Sequence, residues 1–172
     1  MTEERKNRLM CGVMLLIGAL GCASMRNNPE LGISPLAVGI IESLIYACIM
    51  MSVRLSGWKM AVVTALVTPV FLWSQRFLDG FMIPVDMAVN LTMIGFMCLA
   101  MRRKSYWLNA AMLALPAYAV MLTAGTVAIW VVKDENLIRS MIVAWNTDVY
   151  AGFSILGAAL ACAPIAKKGE AR

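Results

Sequence analysis

The chain alternates between long apolar runs and short polar gaps. The runs cover roughly residues 9–25, 35–53, 58–74, 83–101, 106–132 and 140–166. They are continuous rather than alternating, and at about 1.5 Å of rise per residue each is long enough to carry a helix through roughly 30 Å of hydrocarbon. A membrane barrel would instead need segments of about ten residues with alternating polarity. The pattern predicts an all-α integral membrane bundle of six transmembrane helices, forming a single domain over residues 1–172. Pro69 lies inside the third run. A proline there removes a backbone hydrogen bond, so that run is expected to kink or end at it.

Composition agrees with the pattern. Hydrophobic residues make up 61% of the 172 positions, and the mean hydropathy is +0.76, far beyond what a soluble domain needs for one core. The charged residues gather in the gaps. With six spans, Arg5, Lys6, Arg8, Arg54, Lys59, Arg102, Arg103, Lys104, Lys167, Lys168 and Arg172 fall on one side, against Arg26, Arg76, Lys133 and Arg139 on the other. The positive-inside bias then puts both termini in the cytoplasm and the chain in the cell membrane. The net charge of +5 is thereby a topology signal, and with no soluble basic module left over, nucleic acid is not an expected partner.

Candidate chemistry is sparse. Cys11, Cys22, Cys48, Cys98 and Cys162 all fall in apolar runs without C-x-x-C spacing, so they read as small packing residues. The absence of histidine leaves zinc, haem and imidazole acid–base chemistry poorly supported. No glycine-rich phosphate loop is present, so the chain is not itself an ATP-driven motor, and no cofactor is expected. Arg5, Lys6 and Arg8 before an apolar run ending in "ALGCAS" imitate a signal peptide with a lipoprotein cysteine. Five further runs follow, and the charge pattern needs this first one, so it is read as a span.

Ionisable groups within the spans carry the functional signal, since each costs about 2.5–3.5 kcal/mol on insertion scales and therefore faces a bundle interior or a cavity. Glu42, Asp86 and Asp148 are the clear cases. Counting from the outer ends of their runs, Glu42 and Asn90 lie about 10 Å deep and Asp148 about 12 Å, with Asp86 above Asn90. Tyr46 shares a face with Glu42, Asp86 stacks on Asn90, and Trp145, Asp148 and Gly152 form a stripe from which Asn146 points away. Rimmed by Arg76 and Asp79, this outer layer is expected to form a small-molecule pocket with aromatic walls and few polar groups. The bland reading is that the same groups only hydrogen-bond neighbouring helices. In the first run, Gly18 with Cys22 and Ala19 with Ala23 make small-residue ridges suited to close helix contact, either within the chain or with a partner.

Taken together, these residues resemble the substrate-binding S component of energy-coupling factor (ECF) transporters. The points of resemblance are the short chain, six spans, both termini inside and no ATPase motif. Locally they are Ala19-x-x-x-Ala23, "GWKMAVVTALVTP" at the third span, and "GFMIPVDMAVNLTMIGFMCLAMRRK" through the fourth into a basic turn. The resemblance implies a non-enzymatic subunit that captures a vitamin or related micronutrient from outside and passes it inward with a transmembrane T component and two ATPase subunits. It implies that Ala19 and Ala23 contact the T component, with Gly18 and Cys22 as a possible substitute because the alanine pair sits late in the span. The lack of histidine argues against the nickel and cobalt branch. Two other classes compete. One is a structural scaffold similar to the multispanning rod-shape protein MreD. The other is an intramembrane enzyme using paired carboxylates, which no metal or nucleotide motif accompanies.

Overall fold

A computed structural model describes residues 3–26, 35–75, 78–101, 105–134 and 136–167; at 26, 35–36, 147–150 and 165–167 only the backbone is described. Nearly all of the described residues are helical, and none of them is in a strand. The elements are α1 (Glu3–Arg26), α2 (Pro35–Leu55), α3 (Trp58–Ser74), a 3-10 turn (Gly80–Met82), α4 (Ile83–Ala100), α5 (Tyr106–Lys133) and α6 (Leu137–Lys167). Their bounds follow the apolar runs closely. The largest differences are at two helix starts. α1 begins at Glu3 because its polar first turns are good helix formers, with Arg8 paired to Glu4 at 2.7 Å. α6 begins at Leu137 because the Asn136 side chain accepts the Ile138 N–H at 2.9 Å and caps the helix.

The helices pack as a closed ring in the order α1, α3, α4, α5, α6, α2, and α2 also reaches across to α3 and α4. Specific contacts fix their directions. A side chain at Gly12 of α1 would strike Ser56, just past the end of α2, while Gly18 faces Cys48 farther back along α2, so the two helices are antiparallel. Ser154 and Cys162 of α6 bond to Glu42 and to the Ala47 carbonyl, so α2 and α6 run parallel. Gly152 meets Tyr118, and the Leu160 carbonyl meets Tyr106, making α5 and α6 antiparallel. The start of α1 and the end of α6 therefore lie at the same end of the bundle. α2 and α3 are joined by only Ser56 and Gly57, and Gly57 adopts φ 92, a conformation that only glycine takes without strain.

The core is a seam of small and flexible residues, including Ala19, Ala23, Ile49, Met50, Ala65, Met93, Met97, Ala117 and Ala159. Outside it the bundle is apolar: Met14, Ile17, Leu115, Val131 and Phe153 are all exposed. Buried and half-buried hydroxyls bond back to carbonyls of their own helices, as Thr64 does to Met60 and Thr68 to Thr64, which satisfies them without water. All five tryptophans are exposed. Four of them stand at helix ends: Trp58 and Trp73 bracket α3, and Trp107 and Trp130 bracket α5. Lys59 reaches over the Trp58 ring at 5.9 Å. Such placement matches the aromatic belts of membrane proteins.

Among the described residues, four helices are long and apolar enough to cross a membrane, and α6 makes a fifth if its two halves count as one span. Those halves, Leu137–Asn146 and Ala151–Pro164, meet at 53°. α3 has 17 residues and is the short member, covering about 25 Å. The apolar helices suggest a multi-pass membrane protein.

Both internal prolines near the bundle's polar contacts are answered by a neighbouring helix. Pro164 has no N–H to give the Leu160 carbonyl one turn earlier, and the Tyr106 hydroxyl donates to that carbonyl at 3.2 Å instead. Tyr106→Phe is expected to cost about 0.5–1.5 kcal/mol. In a Pro164→Ala background, where the backbone amide returns, the same change should cost almost nothing. A double-mutant cycle on thermal unfolding in detergent checks this; equal costs in the two backgrounds would show that the hydroxyl has no such role.

Candidate functional site

The polar residues of α2 and α4 meet where these helices pack against α3. Glu42 and Tyr46, one turn apart on α2, face Asp86 and Asn90, one turn apart on α4, and α3 contributes Thr68, Pro69 and Leu72. Together with Ile45 they line a cleft of about 20 Å³. Depth counting in the sequence puts Glu42 and Asn90 in one layer with Asp86 above it, helical spacing adds Tyr46, and the fold brings these four to one place. The cleft lies away from the end of the bundle that holds the start of α1 and the end of α6, since Glu42 is in the first half of α2 and Asp86 in the first turn of α4. At that position Asp86 also benefits from the positive end of the helix dipole.

Pro69 explains why a buried asparagine belongs here. Its missing amide leaves the Ala65 carbonyl without its intrahelical donor, and Asn90 Nδ2 donates to that carbonyl at 3.1 Å. Asn90 is only 3% exposed, and its Oδ1 has no hydrogen-bond partner among the described residues. Glu42 is tied across the bundle as well, accepting the Ser154 hydroxyl at 3.0 Å. Interhelical hydrogen bonding, the bland reading of these residues, thus describes part of what Glu42 and Asn90 do.

Other expected site residues lie elsewhere. Trp145 is exposed and packs against Tyr118, with ring centroids 6.4 Å apart. It lines a separate apolar groove of about 640 Å³ between α5 and α6, with Leu122, Thr126 and Ile142 among its walls. Asn146, expected in the pocket, is exposed and is not among the residues that line the cleft. Asp79 is exposed just before the 3-10 turn and makes no side-chain cap there. Arg76 and the side chain of Asp148 lie outside the described residues.

The ridges on α1 also differ from expectation. Ala19 and Ala23 are fully buried in the core. Cys22 packs against that core, and Gly18 approaches Cys48 of α2. Both small-residue pairs therefore serve close packing inside the chain, and the T-component contact expected at Ala19 and Ala23 finds no open surface there. The reason is geometric: small residues let α1 approach the bundle closely, and the close approach buries them.

Thr68 and Ser154 are the members of the polar cluster that sequence reading missed. Ser154 gave no signal, because its role depends on which faces of α2 and α6 meet. Pro69 did give one, since a proline inside an apolar helix implies an orphaned carbonyl four residues earlier that needs a donor. No protein-family model matches this chain, and neither the characterised proteins nor the solved structures compared with it show a match.

Proposed function

We propose that the chain is a six-span protein of the cytoplasmic membrane with both termini inside, acting as the non-enzymatic substrate-binding subunit of an ECF-type importer. On this reading it takes a small micronutrient from outside and passes it on through a T component and an ATPase pair. The observation that carries the reading is the convergence of Glu42, Tyr46, Asp86 and Asn90 in the half of the bundle opposite the start of α1 and the end of α6. Two carboxylates in that layer suit a ligand that is cationic or rich in hydrogen-bond donors. Organic ligands occupy sites of about 300–1,000 Å³, so uptake requires α2, α3 and α4 to part above this layer. With Ala19 and Ala23 buried, the α1 surface available to a T component is the outward stripe of Met14, Ile17 and Gly21.

A ligand-free scaffold similar to MreD is the second reading. It is favoured by the small cleft and by the bonds that tie Glu42 and Asn90 to neighbouring helices.

Native mass spectrometry of the purified protein, followed by thermal shift against a vitamin panel, separates the two. The importer reading expects a retained small molecule and one vitamin that raises the unfolding temperature. Asp86→Ala should then weaken binding by about 10- to 150-fold, the loss of one charge-assisted hydrogen bond of roughly 1.5–3 kcal/mol. No retained ligand and no response to any vitamin would leave the scaffold.

A further inference from the structure

Two apolar grooves flank α5 in the half of the bundle opposite the start of α1 and the end of α6. The first, about 640 Å³ between α5 and α6, lies above the close approach of Gly152 to Tyr118. At its other end only three residues carry the chain from α5 to α6, and between these two closures the halves of α6 meet at 53°. A helix pair held together at both ends and bent between them leaves a window open to the side. The second groove, about 550 Å³, lies between α4 and α5, with Phe81, Val85 and Val131 among its walls. Thr123 and Val127, both exposed, line both grooves and form the ridge between them. The Thr123 and Thr126 hydroxyls donate to the Ala119 and Leu122 carbonyls at 2.8 and 2.7 Å, so they offer no proton to a ligand.

In a bilayer such grooves do not stay empty, because a void forfeits the dispersion contacts of its lining and water finds too few polar partners there. Their depth fits a lipid tail. Lys133 follows Leu122 by eleven residues, about 16 Å at helical rise, against about 15 Å for half of a hydrocarbon core. Leu122, Thr126 and Lys133 share one face of α5. Lys133 is exposed and makes no ion pair among the described residues, at the level where a lipid phosphate would stand; Asp134 and Arg139 are exposed at the same rim. A helix from a second copy, about 10–12 Å across, would fill one groove and ride on the ridge beside the other. Two thin tails joined at one headgroup fill both. We propose that one diacyl phospholipid straddles α5, with a tail in each groove and its phosphate at Lys133. This goes beyond the importer reading and does not depend on it, since it requires only that the bundle sits in a bilayer.

The test uses the full chain in detergent micelles. Native mass spectrometry counts the lipids retained as phosphatidylglycerol is titrated, and thermal unfolding follows the stabilisation. The expected result is one lipid per chain at saturation and a higher unfolding temperature. Lyso-phosphatidylglycerol, with the same headgroup and one tail, should bind at least tenfold more weakly. Val127→Trp, which puts a large ring on the ridge between the grooves, should weaken phosphatidylglycerol binding at least tenfold. Lys133→Gln should weaken it about fivefold, the factor for about 1 kcal/mol per basic residue at an anionic lipid surface. If Val127→Trp folds poorly, phosphatidylglycerol brominated on its tails still reports the place: one bound molecule should quench tryptophan emission, and Trp145→Phe should lose part of that quenching. Retention that rises without saturation, or equal affinity for the one-tailed lipid, would overturn the proposal. Binding unchanged in Val127→Trp, or quenching unchanged in Trp145→Phe, would overturn it too, by placing the lipid elsewhere. A lipid-free dimer that Val127→Trp dissociates would give the grooves to a second copy and do the same. No readout involves a vitamin, so failure here is distinct from failure of the importer reading.

Discussion

Asn90→Leu should destabilise the bundle when Pro69 is present and do so far less when Pro69 is alanine. In the native sequence the change strips the only side-chain donor to the Ala65 carbonyl among the described residues. That group is then left buried in an apolar setting without its bond, at about 1–3 kcal/mol. With Pro69→Ala the backbone amide of residue 69 can bond the same carbonyl, so the loss is covered from within α3. Any energy released by removing the buried Asn90 Oδ1 is common to both backgrounds and cancels in the cycle, and the coupling isolates the repair of α3. Thermal or chemical unfolding of the four proteins in detergent measures it. Additive effects would mean that asparagine and proline share this site without cooperating.

Gly152→Val is the other large expected effect. A side chain at Gly152 would place its Cβ 2.7 Å from a ring carbon of Tyr118, so the ring must move. That ring packs on the core and against Trp145, and α5 with α6 forms the most extensive helix pair of the bundle. Overpacking of this kind costs about 1–3 kcal/mol and occasionally more. A lower unfolding temperature is expected, with a shift in tryptophan emission as Trp145 loses its neighbour. Gly152→Val combined with Tyr118→Ala should recover part of the loss, because the truncated ring leaves room for the valine. If the single variant unfolds like the native protein, α5 and α6 do not approach as closely as described.

The helices themselves were legible because apolar run length is a direct physical requirement, and the bounds of α2, α3 and α4 were readable nearly to the residue. The depth of Glu42, Asp86 and Asn90 was legible for the same reason, since rise per residue converts sequence distance into position along the bundle. Rotation about each helix axis was not. Whether Ala19 and Ala23 face inward depends on which neighbour α1 chooses, and nothing local to α1 encodes that. Ser154 acquires its role only when α2 and α6 lie side by side and parallel. Even so, Pro69 implied a need that Asn90 meets. A proline inside a long apolar helix tells the reader to look for a polar side chain at matching depth on another helix.

The tryptophans bear on the surrounding lipid. Trp58 and Trp73 are separated by about 22 Å along α3, and Trp107 and Trp130 by about 34 Å along α5. A flat bilayer of uniform thickness cannot seat both pairs at its two interfaces when both helices stand upright. In a membrane, either α5 crosses obliquely or the lipid is drawn thinner beside α3, and each costs fractions of a kcal/mol per Å of mismatch. The protein would therefore present a thin flank and a thick flank to its annulus, and would orient and sort by membrane thickness as well as by the partners it meets.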